Sequence, residues 1–554
     1  MGGVLVALLV AASDPAALQA LARDYYAWRD RGDPVGSSDQ GLHTWDSELS
    51  DPAAFVERRK HVGEVLAQVS ALRTEGWSKN DRVDAILLRA QLERDAFSGR
   101  VLQSEETNPQ LYVNECSGAI FSLLKKNYAP ARERALSATR RLLKMPAFLE
   151  QGKKNLVRPV GLYAKLAVAS ARGGDDLYLS SLMTMASGLS PPEQAALVQA
   201  RDAALKSLHG FADWLEPRIA AMAPLVPMGR KNYDDYLRRV LLLPLDADQV
   251  AMLGEAELNR YRGLEALLAD PSLASPDPSR AKSIPRDQQA FLAAYQAREK
   301  EMIEFLRQRH LVTLPPWLGP FTIRQLPEAF KPTSPGGFMN PPGLYDPDPE
   351  GFYFIPTYNP KSQNFYIRAA IEDPRPILGH EGIPGHFLQI SIANHVKDEI
   401  RRQHGDGVFI EGWALYGEEM LVRQGFYPEG SAAQGQVLRL SRYRAARIGV
   451  DVNLHTGKWS FEEAVRYFME AGGLDREAAE GEAAGAAASP LQKITYLTGK
   501  WQIMGLLGRY RDRQGKDFRL GAFHDALLSY GSLPLSVVEW LMLDDAREVE
   551  AAIR

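Results

Sequence analysis

The 554 residues carry 65 Lys and Arg against 69 Asp and Glu, a formal net charge of −4, with 45% hydrophobic and 24% charged residues. This is a globular composition, long enough for several domains or one large two-lobed enzyme, and its interspersed charge offers no basic field for nucleic acid. The single cysteine, Cys116, excludes an intramolecular disulfide and a thiolate zinc cluster, so any metal must be held by His and carboxylate; the thiol itself reads as a small buried apolar group.

The chain opens with "MGGVLVALLVAASDP", an apolar run of signal-peptide length ending in small residues, so residues 1–13 read as a signal segment. No basic residue precedes it, which leaves a mis-chosen start codon or the buried start of a helix as the alternatives. The expected location is periplasmic or secreted, otherwise cytoplasmic. The run is too short to span a bilayer, and no other segment reaches transmembrane length.

From 14 to about 270 apolar residues recur at helical spacing, with helix starts at "SDPAAL", "SPPEQ" and "DADQV". These helices form an N-terminal lobe over 14–285. The charged runs at 130–144 and 298–309 read as solvated faces. Residues 270–285 are a Pro, Ser and Asp-rich loop, and 314–350 hold too much Pro and Gly for a regular helix. "GFYFIPTYN" (351–359) reads as a strand that Pro356 confines to a sheet edge or end, where an extended peptide could add through its backbone. Further helices follow to the C-terminus, one of them starting at Ser460 with Glu463 in a capping box. A short low-complexity Ala/Gly/Glu run occupies 476–490. Residues 286–554 form the C-terminal lobe, or one continuous domain with the first.

Chemistry concentrates at "ILGHEGIPGHFLQ" (377–389). In H-E-x-x-H the two histidines stand four apart on a helix and face one metal. Here His380 and His386 stand six apart, which on an unbroken helix would turn them about 120° away from each other. Pro384 and Gly385 lie between them and are suited to bulge two residues out of the turn, returning His386 to the direction of His380. Downstream, "EGWALYGEE" places Glu411 on a new helix as third ligand, in the manner of gluzincins, and Glu381 beside the first histidine as the base for a zinc-activated water. Glu418, seven residues after Glu411, shares its helical face and is either support for a ligand or a solvated acid. His395 and His404 read as surface residues, and the remaining histidines show no ligand spacing.

"GHEGIPGHFLQ", "FIEGWALYGEEM", "RIGVDVNLHTGKWSFEEAVRYFM" and "SPLQKITYLTGKWQIMGLLGRYRDR" together resemble the bacterial family called domain of unknown function 885, whose members carry H-E-x-x-P-G-H and E-G-W-A-x-Y; the resemblance runs over about residues 20–548. It implies a mainly α, zincin-like metallopeptidase, distantly similar to the carboxypeptidase Taq and angiotensin-converting-enzyme group. By motif position it gives His380, His386 and Glu411 as ligands of one Zn²⁺ and Glu381 as base. The chain departs from a P-G-H-H pattern by carrying Phe387. Related helical zinc peptidases take oxyanion donors from late helices, which points to Tyr496 and His455, each also readable as a packed or capping residue.

Arg447, with Arg368 and Asp451, is a candidate for holding a substrate carboxylate or a ligand, against an ordinary buried ion pair. Phe352 and Phe354 are candidates for substrate contact, against core packing. The expected architecture is two helical lobes around a cleft with a small β-sheet beside the active-site helix, and the expected activity is zinc-dependent hydrolysis of short peptides. A zinc amide hydrolase with a non-peptide substrate, or a peptide-binding protein without turnover, is the alternative. Oligomeric state is not legible.

Overall fold

Helices begin where short polar side chains can accept from otherwise unpaired backbone N–H groups. Asp14 accepts from the Ala16 amide at 2.9 Å, and Ser190 with Glu193, Asp246 with Gln249 and Ser460 with Glu463 form capping boxes, all at the predicted starts. The computed structural model describes residues 14–269, 285–326, 336–427 and 431–554. The N-terminal apolar run, the 270–284 loop and residues 327–335 of the Pro/Gly-rich stretch lie outside the described residues. The fold is mainly α, with one three-stranded sheet. No helix among the described residues is long and apolar enough to cross a membrane.

Contacts divide the chain into two units, the first reaching to Val226 and including Gly343–Asp348, the second beginning at Pro227; the sequence reading draws its division at 285. In the first unit the helices Gln110–Leu124, Ala131–Asn155, Gly161–Gly173 and Pro191–Leu215 bury Ile120, Leu142, Ala164 and Phe211 in one core, with Cys116 among them. The run at 130–144 is a solvated face only in part: Arg132, Glu133 and Arg140 are exposed as expected, but two of its arginines are not. Arg134 and Arg141 are buried, and Arg141 donates to the Ala119 carbonyl at 2.8 Å and Ser38 Oγ at 2.7 Å. Both lie on the inward face with Ala135, Ala138 and Leu142, where their guanidinium groups satisfy carbonyl oxygens that packing has removed from water.

In the second unit the helix Ala432–His455 runs through the core, against Ala247–Leu268 and Arg476–Ala488. The Ala/Gly/Glu run is therefore helical, and its small residues Ala479, Ala483, Ala486 and Ala487 are buried, which lets it lie close. The sheet comprises β1 (Phe321–Gln325), β2 (Phe338–Asn340) and β3 (Gly351–Ile355) in the order β1-β3-β2, with β1 parallel and β2 antiparallel to β3. Of the two expectations for Pro356, an edge or an end, the second holds: it falls just after the last residue of β3, removes no ladder donor, and leaves β3 central rather than at an edge. Both edges of β3 are paired, so a peptide has no open edge there to join.

Candidate metal centre

The H-E-x-x-P-G-H segment is two helices rather than one with a bulge. The first, Arg375–Glu381, ends at the motif glutamate; the second, mostly apolar, spans His386–Ala393, and residues 382–385 turn between them, with the Ile383–Pro384 peptide cis. His380 thus sits in the last turn of one helix and His386 opens the next. Gly385 is obligatory for this approach, since a Cβ there would stand 1.9 Å from the His380 carbonyl oxygen. The sheet lies alongside: the Phe321 ring packs at a tilt against Phe387 at 5.0 Å, so the residue that departs from P-G-H-H is a buried packing group.

The E-G-W-A-x-Y motif supplies the rest, its Glu, Gly, Trp and Tyr each by a different contact. It lies on the helix Gly407–Arg423. Trp413 Nε1 donates to the Pro384 carbonyl at 2.8 Å and ties the turn to this helix. Gly412 meets Gly499 of the helix Thr495–Gln514 where the two backbones cross; a Cβ on Gly499 would lie 1.9 Å from the Val408 carbonyl oxygen. Tyr416 pairs with His524 Nε2 at 2.8 Å, whose Nδ1 faces the Leu311 carbonyl.

These helices bring His380, His386 and Glu411 together, with one ligand atom of each within 4.8 Å of the others. Both Nε2 atoms point at a single oxygen, Glu411 Oε2, at 3.5 Å from His380 and 3.3 Å from His386. That oxygen is buried yet has no hydrogen-bond partner among the described residues. Two imidazole nitrogens and one carboxylate oxygen that converge at ion-pair distance, with no hydrogen bond to that oxygen among the described residues, fit a cation with N, N, O ligands. Burial opposes the charge on Glu411, but the two histidines hold its carboxyl well below the usual range.

Glu418, fully buried, stands 2.7 Å from His380 Nδ1, and Arg444 stands 3.0 Å from the same Glu418 oxygen. With Nδ1 turned to Glu418, Nε2 is the nitrogen left to face the centre. Burial and the Arg444 charge work against a protonated His380, yet Glu411 and Glu418 raise it to about 9. Glu418 is therefore no solvated acid. Arg444 escaped the sequence reading although it lies three residues before Arg447 on the same helix.

Glu381 is half-buried, and no hydrogen bond or ion pair holds its carboxylate among the described residues. Its charge acts on Tyr353 of β3, whose hydroxyl burial already pushes far up. Tyr496 is brought to the centre: its ring stacks over His380 at 6.1 Å with 13° between planes, and its oxygen accepts from Gln492 at 3.2 Å. Burial pushes its hydroxyl well above the ordinary value.

Arg447 pairs with Glu482 through two bonds of 2.9 Å and lies 4.6 Å over the Tyr496 ring. Asp451 is buried and accepts from Tyr233 at 2.8 Å, and Arg368 is exposed. His455 stays away from the cluster. It lies 11 residues past Arg444, about 16 Å along the helix, and its Nε2 faces the Ala486 carbonyl at 3.0 Å. Phe352 and Phe354 are buried in β3, where their rings pack 5.1 Å apart. His395 is exposed as expected, but His404 is buried, beside the bridge that pairs Gly405 with Ser532.

A family profile described as "Bacterial protein of unknown function (DUF885)" matches residues 34–542. Two solved structures share the fold. A candidate lipoprotein of unknown function from Shewanella oneidensis is 24% identical, with a TM-score of 0.75 over 96% of this chain and 100% of its own. A candidate lipoprotein from Colwellia psychrerythraea is 17% identical, with a TM-score of 0.75 over 98% of this chain and 99% of its own. No curated protein matches the chain.

Proposed function

The chain belongs to this bacterial family of unknown function, and we propose that it is a zinc-dependent hydrolase that cleaves the amide bonds of short peptides. The observation that carries the proposal is the convergence of His380 Nε2 and His386 Nε2 on a buried Glu411 oxygen that no hydrogen bond holds among the described residues. His380, His386 and Glu411 would hold the ion; when bound, zinc supplies Lewis acidity at the scissile carbonyl and lowers the pKa of the attacking water.

The chain's own groups do the rest. Glu381, with a carboxylate free of other partners, takes the proton of the attacking water and delivers it to the leaving amine. Tyr496 donates its hydroxyl to the oxygen that becomes negative at the tetrahedral carbon. Glu418 and Arg444 hold the His380 ring in place. His380 and His386 are only 3% and 7% exposed, which supports narrow, unfolded substrates over folded proteins. An exported location belongs to the same proposal, supported by the apolar N-terminal run and by the names given to the two similar structures.

The experiment is Glu381→Gln, assayed on a library of short peptides with zinc content measured in parallel. Zinc should be retained while turnover falls by about 10²- to 10⁴-fold, the usual worth of a general base. A variant as active as the wild type, or a wild type that cleaves nothing, would remove the proposal.

A further inference from the structure

Gln492 lies in the turn just before the Thr495–Gln514 helix, four residues before Tyr496, and its side-chain amide reaches two members of the centre at once. Nε2 lies 3.5 Å from Glu411 Oε1 and 3.2 Å from Tyr496 Oη. An amide nitrogen only donates, so both oxygens accept, one hydrogen each. The Glu411 oxygen bound in this way is not the one facing the histidines, so the contact orients the carboxylate while leaving Oε2 turned to the centre. On Tyr496 the bond occupies a lone pair, which leaves the phenolic hydrogen without an acceptor among the described residues and free to donate elsewhere. The ring itself is fixed between His380 below it and Arg447 at 4.6 Å. Only rotation of the O–H bond remains, and the Gln492 N–H, by taking one lone pair, restricts it.

We propose that Gln492 is a positioning residue that couples the metal-binding carboxylate to the tyrosine hydroxyl, holding the Tyr496 proton ready for the developing oxyanion. The inference rests on the hydrolase reading above, with Tyr496 as donor. Pre-orientation matters because a donor already aimed at the oxyanion costs no reorganisation when charge develops.

The test uses the full chain with ¹³C at the tyrosine Cζ positions, the Tyr496 signal being assigned by its loss in Tyr496→Phe. Gln492→Leu and Gln492→Met, the second keeping an unbranched side chain without donors, should both move that signal. With peptide substrate, both should lower kcat about tenfold with KM and zinc content kept, and neither should lower it further in a Tyr496→Phe background, as for two groups acting in one unit. An unmoved Cζ signal in both variants, losses that multiply with Tyr496→Phe, or loss of zinc in both variants would overturn the proposal. If the wild type cleaves no peptide, the hydrolase reading falls, and the Cζ signal still decides whether Gln492 binds the hydroxyl.

Discussion

At the scale of single residues the centre is a problem of protons. Without a cation, His380 is raised to about 9, because Glu411 and Glu418 outweigh both burial and the Arg444 charge. At pH 7 the ring therefore carries a proton that a cation must expel. Zinc affinity is expected to rise with pH up to about 9 and to fall below it. Titration calorimetry at pH 7 in two buffers of different ionisation enthalpy should find about one proton released per zinc, and heats that do not depend on the buffer would contradict the assignment. The ligands and the base were legible because His, Glu and their spacing are chemical signals in themselves. Glu418, Arg444 and Gln492 were obscure or missed, because a charged or amide side chain at helical spacing is usually solvated and only burial reveals otherwise.

Elements bring these residues together through glycine. The two histidines meet because Gly385 lets the second helix begin against the His380 carbonyl, and Glu411 meets Tyr496 because Gly412 and Gly499 let two helices cross at backbone contact. Gly385→Ala and Gly499→Ala should each cost about 1–3 kcal/mol or more, as overpacking does, and Gly385→Ala should also weaken zinc binding by displacing His386. Thermal melts indistinguishable from the wild type would contradict this. The proline and glycine of "HEGIPGH" could be read as a break, since both are poor in a helix interior. That the break would consume four residues and make two helices could not, because the tie from Trp413 to the Pro384 carbonyl comes from a distant segment. The same limit explains β3: Pro356 marks where a strand stops but not how many neighbours it has, and the partners β1 and β2 lie in Pro- and Gly-rich sequence with little strand pattern.

For the molecule as a whole, the helical class was legible from periodicity and capping over hundreds of residues, and the match to solved structures extends over both units. Every residue of the candidate centre lies in the second unit, so the first contributes no ligand. The proposed export predicts that chain recovered from outside the cytoplasm of its host is shorter than the encoded one at its N-terminus, by intact mass; an unshortened, wholly cytoplasmic chain would contradict it. In the proposed enzyme the two helices of "HEGIPGH" and the Glu411 helix build one zinc site. Zinc per chain by elemental analysis, on the wild type and His386→Ala purified side by side, tests it most directly. About one equivalent is expected in the wild type, the stoichiometry of a single three-ligand site, and little in the variant; equal zinc in both, or none in either, would rule the site out.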